Sequence, residues 1–170
     1  KLEKLKENVI DDVDLESGKF NVVYVGAIRP VNNVGNILDT AKLLKDNNNI
    51  QFLIYGDGNQ KEMLEKRIED EDLSNVKMKG FVNKQLIPYI LSKSSVNILN
   101  YSSTQYNWSR GNSSNKLFEY MASGKPIIST VKMGYSIIEK YKCGIELENS
   151  TPQELANAIL EIKKMPLEKY

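Results

Sequence analysis

The fold of this chain is decided by FNVVYVG at residues 20–26 and IQFLIYGDG at residues 50–58. Each is an unbroken run of β-branched, apolar and aromatic side chains that ends in glycine, which is typical of a strand buried on both faces. Between them, apolar residues recur at helical spacing over residues 37–44. Strand, helix and strand in this order predict a right-handed βαβ unit.

The same alternation continues along the rest of the chain. Further strands are predicted at 76–80, 96–99, 126–130 and 144–147, and helices at 63–68, 82–91, 114–123, 135–141 and from Thr151 onward. Pro88 requires the helix over 82–91 to start late or to kink. The pattern predicts a doubly wound, Rossmann-like α/β domain with about six parallel strands and helices on both faces. Such sheets bind ligands at the carboxyl ends of their strands.

The composition excludes several kinds of active site. The 170 residues include 23 Lys and Arg, 22 Asp and Glu, one cysteine and no histidine. Ser-His-Asp and Cys-His catalysis are therefore impossible within this chain, as are zinc sites built on histidine or on several cysteines. No acidic group has the spacing of a calcium loop, and we expect no metal cofactor.

The ends of the chain suggest a fragment of a larger protein. Residues 1–19 are charged and weakly patterned, so we expect a lead-in or linker there and a domain over residues 20–170. The chain starts at Lys1 without methionine and stops at Tyr170, just after a helical pattern. No apolar run approaches the roughly 20 residues that span a bilayer, and no secretory signal is visible, so we expect a cytoplasmic protein.

Positive charge is concentrated in one segment. Residues 80–143 hold eight cations and two carboxylates, a net charge of +6 in a chain whose total is +1. A basic segment inside a neutral domain favours attraction for a small anion and argues against a nucleic-acid partner. The alternative is a solvated, lysine-rich face.

Three nucleotide or phosphate motifs fit poorly. The dinucleotide fingerprint needs three spaced glycines, whereas residues 26–31 hold one and residues 56–61 hold two. The chain has no phosphate-binding P-loop sequence. A phosphate-accepting aspartate would stand at the end of a central strand, but Asp57 lies between two glycines in a turn.

The most informative stretch is GNSSNKLFEYMASGKP at residues 111–126. It places Ser113 and Ser114 at a helix N-terminus that faces the crevice, where free N–H groups and the helix dipole favour phosphate. A helical wheel puts core residues on one stripe: Leu117, Phe118, Met121 and Ala122. Asn115 and Glu119 lie on its flank, from which the Glu119 carboxylate can reach a ribose diol. The plainer alternative is a serine N-cap with a solvated glutamate.

At this stretch the chain resembles the C-terminal, donor-binding domain of retaining glycosyltransferases with the GT-B fold, of the group 1, family 4 type. The resemblance covers residues 20–163, and its parts occur in order. They are the first strand up to Gly26, IYGDG at 54–58, VKMKGFV at 76–82, NKLFEYMASGKP at 115–126 and Cys143-Gly144. The run at 115–126 is the most specific and is similar to a bacterial subset that acts on sugar nucleotides for surface polysaccharides.

The resemblance assigns roles to matching positions. Glu119 matches the second glutamate of the family's Glu-x7-Glu pair and is expected on the donor ribose, whereas the first falls on Gly111. The family's diphosphate-binding Arg and Lys fall on Ala27 and Asn32, so Arg29 is expected to substitute. Further donor-site residues are expected in three groups: Gly26-Ala27 in the turn beneath the phosphates, Gly80-Phe81-Val82 on the nucleobase, and Asn112, Ser113, Ser114, Asn115 and Lys116 at the helix end.

The implied activity is transfer of a sugar from a nucleoside diphosphate sugar, expected to be a UDP-sugar, to an acceptor hydroxyl with retention. Arg29, Lys116 and Glu119 are the catalytic candidates, and a hexosyl or amino-sugar transferase of bacterial polysaccharide biosynthesis is expected. The resemblance implies a missing N-terminal acceptor domain that carries the catalytic histidine, so this chain alone should be inactive. A lipid-linked glycan acceptor would place the intact enzyme at the inner face of the membrane. A sugar-nucleotide epimerase domain and a catalytically silent nucleotide-binding module remain as alternatives.

Overall fold

Six parallel strands form one sheet in the computed structural model, which describes residues 10–102 and 115–166. The strands are β1 (Phe20–Val25), β2 (Ile50–Tyr55), β3 (Val76–Gly80), β4 (Val96–Leu99), β5 (Ile127–Ser129) and β6 (Gly144–Glu146), and their order is β3-β2-β1-β4-β5-β6. All neighbouring pairs are parallel. The predicted doubly wound α/β fold is confirmed.

Helices cover both faces of this sheet. They are α1 (Val34–Leu43), α2 (Lys61–Asp70), α3 (Ile87–Ser92), α4 (Asn115–Ala122), α5 (Ile137–Lys140) and α6 (Pro152–Lys164). The first face carries α1, α2 and α6, and the second face carries α3, α4 and α5, because their buried side chains fall into two separate apolar clusters. Within the described residues, no helix has both the length and the apolar character needed to cross a bilayer.

The two clusters follow from the alternation of side chains along each strand. On β1, Val22 and Tyr24 point into the first cluster, whereas Val23 and Val25 point into the second. All six residues of β2 are buried, as expected for a strand covered on both faces. From β1 the chain adds β2 and β3 on one side, and it then crosses back to add β4, β5 and β6 on the other side. The topological switch point therefore lies between β1 and β4.

Two details of the predicted helices are wrong. The helix predicted over 82–91 is a short 3-10 turn, Lys84–Leu86, followed by α3, in which Pro88 lies in the first turn, where it removes no internal hydrogen bond. On α4, Phe118 is 49% exposed and Ala122 is also exposed, so neither belongs to the core stripe. Tyr120 is fully buried instead, and its hydroxyl is paired with the backbone of β1, so its polar group is satisfied.

Residues 10–19, expected to be a lead-in, pack on the second face of the sheet. Leu15 is buried in the second cluster. The Asn21 side-chain amide donates to the Leu15 carbonyl at 3.2 Å, and Gln51 donates to the carbonyl of Asp14 at 2.7 Å and to the Ser17 hydroxyl at 2.9 Å. Buried amides on β1 and β2 thus hold this segment in place, and composition alone does not reveal these contacts.

An ionic cluster fastens the same segment to the end of β3. The Lys79 ammonium binds Asp12 at 3.0 Å and also pairs with Asp14, and the Tyr55 hydroxyl donates to Asp12 at 2.9 Å. Burial alone would raise the pKa of Asp12, but the bonds from Lys79 and Tyr55 outweigh it and hold this pKa below its ordinary value. The Asp12 carboxylate is therefore stabilised in its charged form.

Lys79→Met should lower the free energy of unfolding by about 2 kcal/mol at neutral pH, because it leaves a buried carboxylate without its cation. Since folding lowers the pKa of Asp12 from 3.8, this stabilisation is complete above that pH and is lost as the pH falls through the folded value. Urea denaturation should therefore show a constant difference in unfolding free energy between the unmodified chain and Lys79→Met above pH 3.8, and a difference that closes as the pH falls below it.

Lys45→Met is the matched control, since Lys45 pairs with an Asp72 side chain that is 89% exposed. It should change stability little, because exposed ion pairs contribute little. Equal losses in the two variants, or a Lys79→Met gap that does not vary with pH, would contradict this account of the cluster.

Candidate functional site

The crevice at the switch point is lined by the turn that follows β1. The Gly26 N–H donates to the Tyr55 carbonyl at 3.0 Å, which extends the pairing of β1 with β2 by one residue. The Tyr24 hydroxyl then donates to the Ala27 carbonyl at 2.7 Å and closes the turn. Gly26 and Ala27, predicted to lie beneath the phosphates, therefore form a rigid turn at the carboxyl edge of the sheet.

The turn is locked against the glycines that follow β2. The Ile28 N–H donates to the Asp57 carbonyl at 2.9 Å. A Cβ atom on Gly56 would overlap the Gly26 carbonyl oxygen, and one on Gly58 would overlap the Ile28 carbonyl oxygen. Gly56 also has a φ of +143°, which favours glycine. These two glycines allow the backbones to touch, a role that their Gly-Asp-Gly spacing alone does not specify.

Lys116, in the first turn of α4, places its ammonium directly against Gly26. The ammonium donates to the Tyr24 hydroxyl at 3.2 Å, and it lies 4.6 Å from the centre of the Tyr24 ring and 5.2 Å from that of Tyr101. Two aromatic faces and one hydroxyl therefore surround the charge. Sequence reasoning missed both tyrosines, because their proximity to Lys116 depends on the packing of α4.

The surroundings of Lys116 weaken its hold on its proton. Burial and then the positive charge of Arg29 lower the pKa of Lys116 to about 8, while the charge of Glu119 acts in the opposite direction. Burial also raises the pKa of Tyr24 well above its ordinary value, so this hydroxyl stays neutral. The ammonium is poorly solvated and close to another cation, and a bound anion would stabilise it strongly.

Arg29 and Glu119 are two charged groups whose fields act on this lysine. Arg29 is exposed and immediately precedes the 3-10 turn Pro30–Asn32. Glu119 is half-buried, one turn after Lys116 on α4. The structure thus places Lys116 against the turn after β1, Arg29 in the loop that continues this turn, and Glu119 on α4 close enough for its charge to act on Lys116.

The segment predicted to contact the nucleobase lies at the neighbouring strand edge. Gly80 ends β3 with a φ of +79°, and its carbonyl accepts the Gly56 N–H at 2.8 Å. Phe81 is 73% exposed, whereas Val82 packs against the second cluster. This segment is joined through Gly56 to the turn after β1, so the two parts of the site share one continuous backbone network.

The remaining predicted residues are placed as follows. Asn112, Ser113 and Ser114 lie outside the described residues, as does Gly111, and Asn115 is the first residue of α4. Asn32 is buried, and the Asn100 side-chain amide donates to its carbonyl and to that of Asn33. Asn100 thereby ties the end of β4 to the loop after β1, a contact that the sequence analysis missed.

Metal ligands are not gathered in the part of the chain that the structure describes. Over residues 10–102 and 115–166, no three Cys, Asp or Glu side chains converge as a metal site would require.

Comparison with known proteins defines the class. The sequence profile of the group 1 glycosyl transferases matches residues 6–170, and the chain belongs to this family. The fold is that of one half of a GT-B glycosyltransferase.

Individual relatives are larger than this chain. It is 30% identical over 148 residues to the poly(ribitol-phosphate) alpha-N-acetylglucosaminyltransferase of Staphylococcus aureus (strain COL), covering 83% of this chain and 28% of that protein. It is 29% identical over 115 residues to the 2-deoxystreptamine N-acetyl-D-glucosaminyltransferase of Niallia circulans, covering 66% and 28%. A crystal structure of an S. aureus TarM variant with Fondaparinux, alpha-GlcNAc-glycerol and UDP superposes with a TM-score of 0.69 at 25% identity, covering 85% and 28%. The chain thus spans 28% of the length of each of these relatives.

Gly58→Ala should lower the free energy of unfolding by about 1–3 kcal/mol, because the added methyl group meets the Ile28 backbone and not a flexible side chain. Gly35→Ala is the matched control, because Gly35 belongs to α1 and has room for a side chain. An added Cβ atom would lie 3.7 Å from its nearest neighbour, a nitrogen of Arg67. That change should raise stability by about 0.5–1 kcal/mol through helix propensity. Urea denaturation measures both, and a neutral Gly58→Ala would contradict the close backbone contact.

Proposed function

We propose that this chain is the donor-binding half of an enzyme that transfers a sugar from a UDP-sugar to an acceptor hydroxyl with retention of configuration. The observation that carries the proposal is the position of the Lys116 ammonium, held against Gly26 at the switch point with Arg29 alongside. Anionic ligands of doubly wound sheets bind at this place. Membership of the group 1 family supports a nucleotide-sugar donor.

The proposed roles follow from the charge that develops during transfer. When the bond from sugar to diphosphate breaks, negative charge grows on the leaving diphosphate, and Lys116 and Arg29 stabilise it. Backbone N–H groups in the first turn of α4, which begins at Asn115, assist, and Glu119 binds the ribose diol. The backbone of Gly80-Phe81-Val82 reads the nucleobase. Since cations supply the stabilisation, no metal cofactor is needed for this step.

The acceptor side lies outside this chain in the proposal. An N-terminal acceptor domain would supply the catalytic histidine, since this chain has none, and the chain alone would bind nucleotide weakly without turnover. Two relatives named as N-acetylglucosaminyltransferases support an amino-sugar donor. We propose a role in bacterial polysaccharide synthesis, with a lipid-linked glycan acceptor, and a cytoplasmic enzyme at the inner face of the membrane.

UDP should bind this chain more tightly than uridine, and Lys116→Met should narrow the difference strongly, because the lysine meets the diphosphate and not the nucleoside, while Arg29 and the backbone N–H groups remain. Since the pKa of Lys116 is about 8 and a bound anion raises it, UDP affinity should fall roughly tenfold from pH 7 to pH 9. Calorimetry at pH 8 in two buffers of different ionisation enthalpy should also detect proton uptake on UDP binding. Among the residues that the structure describes, the titratable or charged groups around this lysine are Arg29, Glu119, Tyr24, Tyr101 and Tyr120.

Lys77→Met removes the same charge from an exposed position on β3 and serves as the control. It should keep both the preference for UDP and the pH dependence. Equal affinities of the unmodified chain for UDP and uridine, or no binding of UDP at millimolar concentration, would refute the donor site.

Glu119 is tested with a modified nucleotide. The unmodified chain should bind UDP several-fold more tightly than 2′-deoxy-UDP. The Glu119 carboxylate would accept a hydrogen bond from each ribose hydroxyl, and one of these bonds is lost when the 2′-hydroxyl is missing. Glu119→Gln should weaken UDP binding and narrow this preference, which competition calorimetry measures. A full preference retained in Glu119→Gln would place the ribose contact elsewhere.

A further inference from the structure

The sheet has a gap beside the end of β1, and Tyr120 fills it. Along β1, alternate residues bond to β2 and to β4, and the N–H and C=O of Val25 point toward β4. The pairing of β1 with β4 ends at Val23 and Asn97, however, so no strand reaches Val25. The Tyr120 hydroxyl accepts the Val25 N–H at 3.0 Å and donates to the Val25 carbonyl at 3.3 Å.

The same helix face carries the candidate diphosphate lysine. Lys116 and Tyr120 are four residues apart on α4, so they lie one above the other. Tyr120 binds Val25, and Lys116 lies against Gly26, the next residue of the same backbone. Two side chains spaced by one helical turn therefore hold two successive residues at the end of β1.

We propose that Tyr120 is a positioning residue for the diphosphate site, an inference that rests on the proposed function. Its hydroxyl sets the distance between α4 and the end of β1, and thereby holds the Lys116 ammonium against Gly26, where the diphosphate binds. Phenylalanine would fill the same buried space but leave both Val25 backbone groups unpaired. The helix would then shift to admit water or another donor, and Lys116 would move with it.

The test uses Tyr120→Phe in the whole chain, with Tyr55→Phe as the matched control. Tyr55 is also a buried tyrosine on the second face, but its hydroxyl bonds to Asp12, away from α4. Two quantities are measured: the pKa of Lys116 from the NMR titration of its side chain, and the dissociation constant of UDP from calorimetry. Melting temperatures record the loss of stability in each variant.

Tyr120→Phe should raise the pKa of Lys116 from about 8 toward its ordinary value of 10.5 and weaken UDP binding about tenfold, because small misplacements of a charged group are costly. Tyr55→Phe should lower the melting temperature but change neither quantity. If folded Tyr120→Phe keeps both the unmodified pKa of Lys116 and the unmodified UDP affinity, the inference is wrong.

Failure of the proposed function would look different. If the unmodified chain does not bind UDP, the donor assignment fails, yet the pKa of Lys116 in Tyr120→Phe still tests the positioning role. If Tyr120→Phe does not fold, the test is made on the unmodified chain by NMR. A slowly exchanging Tyr120 hydroxyl proton with a through-space contact to the Val25 amide proton supports the bond between Tyr120 and Val25, and the absence of this contact overturns the inference.

Discussion

The backbone of β1 is paired along one side and only partly along the other, and this asymmetry shapes the site. Toward β2, the pairing covers all of Phe20–Val25 and continues through the Gly26 N–H into the loop. Toward β4, it stops at Val23. Beyond that point the side chains of α4 reach the end of β1 in place of a strand.

This arrangement makes α4 part of both the core and the site. Leu117 and Tyr120 bury one side of the helix in the second cluster, while Lys116 meets the turn after β1. Burial removes water from the Lys116 ammonium and lowers its pKa, and the positive charge of Arg29 lowers this pKa further. A diphosphate would relieve both effects. The packing that stabilises the domain therefore also shapes the proposed anion site, and the backbone contact at Gly56 connects that turn to Gly80 and the segment proposed to contact the base.

The strands, and their burial on both faces, could be predicted from the sequence, because fully buried parallel strands are continuous apolar runs, as in Phe20–Val25 and Ile50–Tyr55. Which residues of α4 face the core could not be predicted: Phe118 is more apolar than Tyr120, yet Phe118 is 49% exposed and Tyr120 is buried, with its hydroxyl paired to Val25. The contacts of residues 10–19 were likewise missed, since they depend on buried amides of distant strands. The resemblance carried a position over for Glu119 alone and offered Arg29 and Lys116 only as substitutes for the family's cations, whereas the aromatic surroundings of Lys116 required the fold.

The most direct test of the account is a map of backbone amide shifts in the isotopically labelled chain as UDP is added. The account predicts that the largest changes fall on Gly26 to Arg29, on Gly80 to Val82 and on the first turn of α4. Amides at the opposite edge, such as those of Phe20 and Lys125, should stay unchanged. Shifts confined to that opposite edge, or a uniform absence of shifts at saturating UDP, would contradict a donor site at the end of β1.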